Sequence, residues 1–198
     1  MVNELDRSGR APARRANPFT VLLGGVTTMW VAEGADQLAF DGDLDRFGIV
    51  PRTLDGLTGV ALAPLLHAGF GHLLANTVPL LVLGALIALK GLRRLVTVAV
   101  GVTVLGGLGV WVFGRSAIHL GASGVVFGFF GYLVAAGVFE RRLRSVVLAV
   151  IAVLLYGGLV WGALPGTPGV SWESHLAGLL AGVVVARWVS APQPRAMP

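Results

Sequence analysis

Six runs of apolar residues, each about 17 to 22 long, divide the chain at about 19–39, 69–89, 95–113, 120–139, 145–164 and 173–190. An α-helix rises about 1.5 Å per residue, so each run matches the roughly 30 Å of hydrocarbon in a bilayer. Residues 1–18 carry Arg7, Arg10, Arg14 and Arg15 with Pro12 and Pro18, the pattern of a mobile basic tail. A basic start before a short apolar run also fits a secretory leader, but no clean small-x-small cleavage site follows, and the first run is read as a retained span. Residues 40–66 mix Asp41, Asp43, Asp45, Arg46, Arg52 and Asp55 with Leu54, Leu57, Val60, Leu62 and Leu65. That stretch is too polar to span and too apolar to be a solvated loop, so it reads as partly interfacial. The expected fold is all-α and polytopic: a six-helix membrane domain over 19–190 with a long outer loop between helices 1 and 2. Tails at 1–18 and 191–198 flank it, and the chain shows no tandem repeat and no second domain.

Composition supports the membrane reading. Of the 198 residues, 55% are hydrophobic and 13% charged, against about 25% charged in a soluble domain. The net charge of +5 would suggest nucleic acid in a soluble protein, but here the basic residues flank apolar runs instead of lining one face, so no nucleic-acid partner is expected. With the amino terminus inside, alternate connections put Arg7, Arg10, Arg14, Arg15, Lys90, Arg93, Arg94, Arg141, Arg142, Arg144, Arg187 and Arg195 on the cytoplasmic side, and only Arg46, Arg52 and Arg115 outside. This bias predicts a multi-pass protein with both termini cytoplasmic. Arginine supplies all but one of the basic residues, and alanine, glycine and valine abound; this GC-rich flavour suggests a bacterial plasma membrane. The absence of cysteine excludes thiol catalysis, disulfides and thiolate metal sites.

Polar residues inside three of the runs change the picture from a bundle to a candidate enzyme. In this topology the second, fourth and sixth spans all begin on the outer side, and His72, Asn76, Ser123 and His175 fall within about the first two turns of those spans. Buried polar groups in a membrane normally face the bundle interior or a wet cavity, so these four are expected to share one pocket. Gly124, Gly128 and Gly131 form one stripe and His175, Gly178 and Gly182 another. Small residues let helix backbones approach, so the sixth span is expected to pack on the fourth and make Ser123 and His175 hydrogen-bonding partners. Serine needs a base to become a nucleophile, and histidine has the suitable pKa. No carboxylate is placed to orient His175, which predicts a Ser/His dyad and not a triad. The Ser123 N–H at a helix start, the Asn76 amide and His72 can donate to an oxyanion.

The chain resembles the rhomboid intramembrane serine proteases. The resemblance is carried by His67 followed by His72-x-x-x-Asn76, by Gly121-Ala122-Ser123-Gly124, and by His175-x-x-Gly178-x-x-x-Gly182, in that order. It implies a six-helix bundle whose fourth span starts at the bottom of a water-filled cavity, with Ser123 as nucleophile and His175 as base. His72, Asn76 and Gly121 would surround the oxyanion, with Phe127, Gly124, Gly178, Gly182 and His67 in support. It also implies cleavage of single-span membrane proteins near the outer ends of their helices, at small residues, with no cofactor. Two departures stand out. Many relatives carry a Trp-Arg pair about nine residues before the histidine matching His67, where this chain has Thr58-Gly59, which leaves the loop without that anchor. The aromatic four residues after the serine, often tyrosine, is Phe127, which keeps ring stacking on His175 and loses a hydroxyl.

Several positions have plainer readings. His67 is expected to make a structural hydrogen bond and His119 to be interfacial. Trp111, Trp161, Trp172 and Trp188 read as an aromatic belt, Glu33 and Asp36 as headgroup-level residues, and Pro79 as a kink in the second span. All four histidines fall on the outer half, so a histidine-lined metal-handling membrane protein or transporter is the alternative from a different class. A non-catalytic relative that binds membrane helices is the third. Against the metal reading, no His-x-x-x-His pair occurs and the glycines around Ser123 would go unexplained; no metal site is expected.

Overall fold

A computed structural model describes residues 16–191. The expected tails, with Arg7, Arg10, Arg14, Arg15 and Arg195, lie wholly or largely outside the described residues. Eight α-helices occur among those residues: α1 (Pro18–Ala39), α2 (Gly59–Leu62), α3 (Phe70–Ala88), α4 (Leu92–Phe113), α5 (Ser123–Glu140), α6 (Leu143–Tyr156), α7 (Leu159–Gly162) and α8 (Trp172–Ser190). The all-helical bundle read from the sequence is what the chain forms. Three helices, α3, α4 and α5, are long and apolar enough to cross a membrane, while α6 is apolar but has only 14 residues. The expected fifth run at 145–164 is broken at Gly157-Gly158 into α6 and α7.

Helix α5 is central. It is apolar or small on every side, as a helix surrounded by others must be, and it packs most extensively on α8, then on α6, α4 and α3. The outer helices keep one apolar face exposed, such as Val96, Val100 and Val104 on α4. The glycine stripes divide their work. A Cβ on Gly178 would collide with the Gly124 carbonyl, one on Gly182 with the Gly128 carbonyl, and one on Gly131 with the Leu179 carbonyl. The side of Gly128 that lacks a side chain faces Val102 on α4 instead. The fourth-span stripe thus serves two neighbours, a division its spacing alone does not reveal.

Asn17 starts α1 by accepting the Phe19 N–H at 2.9 Å, with Pro18 as the first helical residue. The buried residues of α1 are Val26, Met29, Glu33 and Asp36, which follow one helical face towards α3 and the turn at Ala63–Leu65. Glu33 and Asp36 are each only 1% exposed, so they do not project into a headgroup layer. The Leu44 N–H donates to Asp36 Oδ1 at 2.9 Å, which ties Asp36 to the following loop. That loop brings Asp45 near them, and burial together with the charges of Asp36 and Glu33 pushes its carboxyl up to about 6.

The 40–66 segment folds back onto the bundle. Ile49 and His119 exchange backbone hydrogen bonds of 2.8 and 2.9 Å. The Arg52 guanidinium donates to the Val112 and Gly114 carbonyls at the end of α4, and the Trp111 indole N–H donates to the Thr53 carbonyl at 2.8 Å. The missing Trp-Arg pair is therefore replaced by another anchor: Arg52 satisfies carbonyls that a helix end leaves open, and Trp111 is a loop clamp instead of a belt residue. At Gly59 any side chain would collide with the backbone of Gly48 and Ile49, so the glycine lets α2 lie directly on the preceding strand of loop.

Candidate functional site

Ser123 is the first residue of α5, three residues later than the expected start of that span. Gly121 sets this start. Its φ of +106° suits glycine, and a Cβ there would lie 2.7 Å from Cε1 of the His72 ring. The Gly121 N–H donates to the Ala63 carbonyl at 2.9 Å and the Ala122 N–H to His67 Nε2 at 3.2 Å. The helical bonds begin with Val126 N–H to the Ala122 carbonyl at 3.0 Å, so the Ser123, Gly124 and Val125 amides precede the ladder, at the positive end of the helix.

His67 has 0% exposure and sits in the turn before α3. Burial, and secondarily the nearby His72, push its pKa from an ordinary 6.5 down to about 4. Only neutral imidazole can accept the Ala122 N–H. Between pH 6.5 and about 4 the unfolded chain carries a proton that the folded chain does not, so this group lowers stability as pH falls through that window. His67→Gln, which keeps an acceptor without titrating, is expected to flatten the pH dependence of thermal melting there. An unchanged slope would contradict the assignment.

A cavity of about 580 Å³ brings together His72, Asn76, Ser123, Phe127 and His175, with Pro79 and Leu159 on its wall. All five come from α3, α5 and α8, the three elements named by sequence. The His175 ring lies over Phe127 at 4.0 Å between centroids and 9° between planes. Its Nδ1 is 2.8 Å from the Gly162 carbonyl oxygen. A carbonyl can only accept, so Nδ1 carries the proton and Nε2 keeps its lone pair. A Cβ on Gly162 would stand 3.0 Å from Phe127 and 3.5 Å from His175 Nδ1, so glycine leaves room for this carbonyl. The Asn76 amide donates to the His72 carbonyl at 3.0 Å, and the Ala68 N–H donates to His72 Nδ1 at 3.3 Å. Among the described residues no direct hydrogen bond joins Ser123 to His175; the bonded pair expected from sequence is represented by two side chains lining one cavity.

Two supporting groups escaped sequence reading. Gly162 contributes a backbone oxygen, which no side-chain pattern advertises. His119 is 2% exposed instead of interfacial: Nε2 meets the Arg115 carbonyl at 3.0 Å and Nδ1 meets Ser171 Oγ at 2.6 Å. Ser171 caps α8 by accepting the Ser174 N–H, so His119 ties the approach to α5 to the start of the helix that carries His175. Glu173, beside that start, pairs with Arg115 at 3.6 Å.

A family model for the Rhomboid domain matches residues 55–192, a span holding every residue of this cavity. The chain belongs to the rhomboid family. It is a multi-pass membrane protein of the kind found in bacteria, within a family composed in general of serine intramembrane proteases that act on transmembrane substrates. An uncharacterized protein of Mycobacterium tuberculosis strain H37Rv is 44% identical over 186 residues, covering 89% of this rhomboid and 77% of its own length. An uncharacterized protein of Mycobacterium leprae is 40% identical over 187 residues, covering 87% and 74%. YdcA of Bacillus subtilis, whose name places it provisionally among rhomboid proteases, is 30% identical over 124 residues, 62% of each chain.

Proposed function

We propose that this rhomboid is an intramembrane serine endopeptidase of a bacterial plasma membrane that cuts transmembrane segments of other membrane proteins near their outer ends. Its domain is the six-span unit over 19–190, with both termini cytoplasmic as the basic-residue bias argues. The observation that carries the reading is the setting of His175. Its Nδ1 proton is held by Gly162 and its ring by Phe127, which leaves Nε2 unprotonated in the cavity that Ser123 also lines. A backbone carbonyl does the orienting that a carboxylate does in a triad, so a dyad suffices.

In the proposed reaction Nε2 takes the Ser123 proton while Oγ attacks the scissile carbonyl. The oxyanion is received by the Ser123 N–H, the Asn76 amide and His72. The amine leaves with the proton carried by His175, and water, deprotonated by the same Nε2, hydrolyses the acyl-enzyme. Catalytic hydrogen bonds commonly tighten only with substrate in place, and the Ser123–His175 hydrogen bond is one that forms in that complex. The metal-handling reading has less support: His67, His119 and His175 are each engaged by separate partners, Ala122, Ser171 with Arg115, and Gly162.

Purified protein incubated with a serine-directed fluorophosphonate is expected to label Ser123 and to cleave a single-span reporter. Absence of both from folded protein would sink the proposal. Asn76→Ala should lower the cleavage rate by about a hundredfold or more, some 3–4 kcal/mol of barrier, since one oxyanion donor is removed. A change confined to KM would instead make Asn76 a substrate-binding residue.

A further inference from the structure

At the end of the bundle opposite Ser123, a second cavity of about 450 Å³ opens between the first turns of α4 and the last turn of α8. It is lined by Lys90, Arg93, Arg94, Thr97, Trp188 and Val189. Its volume falls in the range of about 300–1,000 Å³ typical of small-ligand sites. Its walls are unbalanced in charge. Lys90 Nζ lies 2.8 Å and Arg94 Nη1 3.0 Å from the Glu140 carboxylate, so one anion is shared by two cations. Arg93 is exposed and faces the same space, and Arg144 reaches the Leu89 carbonyl beside it. With Arg93, Arg94, Arg144 and Lys90 gathered around the single carboxylate of Glu140, this corner holds more cations than that carboxylate neutralises.

The remaining features suit one ligand class. Gly91 precedes α4 with φ +101° and without a side-chain cap, which leaves the first-turn amides open beside the cations. Trp188 is 72% exposed at the cavity rim, the amphipathic ring that settles at headgroup level. The neighbouring faces of α4 are apolar and exposed through Val96 and Val100, as a surface flanked by acyl chains would be. We propose that this cavity binds the phosphate of an anionic membrane phospholipid in the leaflet at this end of the bundle, with Arg93 and Arg94 as its charge partners and Trp188 against the glycerol region. The site is separate from the Ser123 cavity and is independent of whether the protein cleaves anything. Basic pockets between membrane helices recognise anionic headgroups in this manner.

The test is native mass spectrometry of the full chain released from neutral detergent in the presence of phosphatidylglycerol or, separately, phosphatidylcholine. Wild type is expected to retain phosphatidylglycerol preferentially. Arg93→Glu should lose that preference by about fivefold or more, and Arg46→Glu, at an exposed position at the other end, should not. Rising salt should weaken phosphatidylglycerol retention by wild type, a measurement that stands even if Arg93→Glu fails to fold. Equal retention of both lipids, an undiminished Arg93→Glu, indifference to salt, or displacement of the lipid by inorganic phosphate would each overturn the proposal, the last by making the ligand a soluble anion.

Discussion

Ser123→Ala and His175→Ala are each expected to reduce cleavage of a single-span reporter by about ten-thousandfold or more, because in a nucleophile–base pair either loss removes the covalent route. The two variants differ in what else they disturb. Ser123 is half-buried at the mouth of α5, where it lines the cavity, and alanine removes only its hydroxyl, so its alanine variant should melt with wild type and still bind substrate. His175→Ala gives up the stack on Phe127 and the Gly162 hydrogen bond, about 1 kcal/mol for each, and should melt slightly lower while remaining folded. Fluorophosphonate labelling separates the roles: none in Ser123→Ala, residual and slow in His175→Ala. Cleavage surviving in Ser123→Ala would end the serine-protease reading. Labelling of His175→Ala at the wild-type rate would remove His175 as the base.

The second large effect is expected far from any reacting atom. Gly178→Val would drive a branched side chain into the Gly124 carbonyl and the adjoining backbone of α5. Backbone on both sides cannot yield locally, so the helices must separate, at a cost of about 1–3 kcal/mol or more. Separation also carries His175 away from Ser123, and a displacement of about 1 Å in a positioned catalytic group can lower the rate by about a hundredfold. Gly178→Val is therefore expected to lower both melting temperature and activity. Gly71→Ala, where a Cβ meets nothing within 4 Å, should change neither. Wild-type activity in Gly178→Val would mean that the closeness of α5 and α8 does not position the site.

The two expectations draw on different kinds of information. Ser123, His175, His72 and Asn76 were visible because polar groups within apolar runs are costly and need a common wet space, and the glycine spacing said which helices approach. Glu33 and Asp36 are buried, as their spacing from Val26 and Met29 on one helical face implies, although their charge alone suggests exposure. His119 likewise reads as interfacial from its local sequence, because its partner Ser171 is 52 positions away. The Thr58-Gly59 departure suggested a loose loop, whereas Arg52 and Trp111 close it by contacts about 60 residues apart in sequence.

By itself the sequence determined the helical class and the presence of apolar runs of membrane length, and it singled out the polar side chains proposed to carry the chemistry, because hydrocarbon length and the cost of buried polarity act residue by residue. Only the tertiary structure decided which tautomer His175 holds, what anchors the outer segment and which neighbour each glycine serves. Those depend on backbone carbonyls and on distant segments meeting in space, and neither leaves a local signature in the chain.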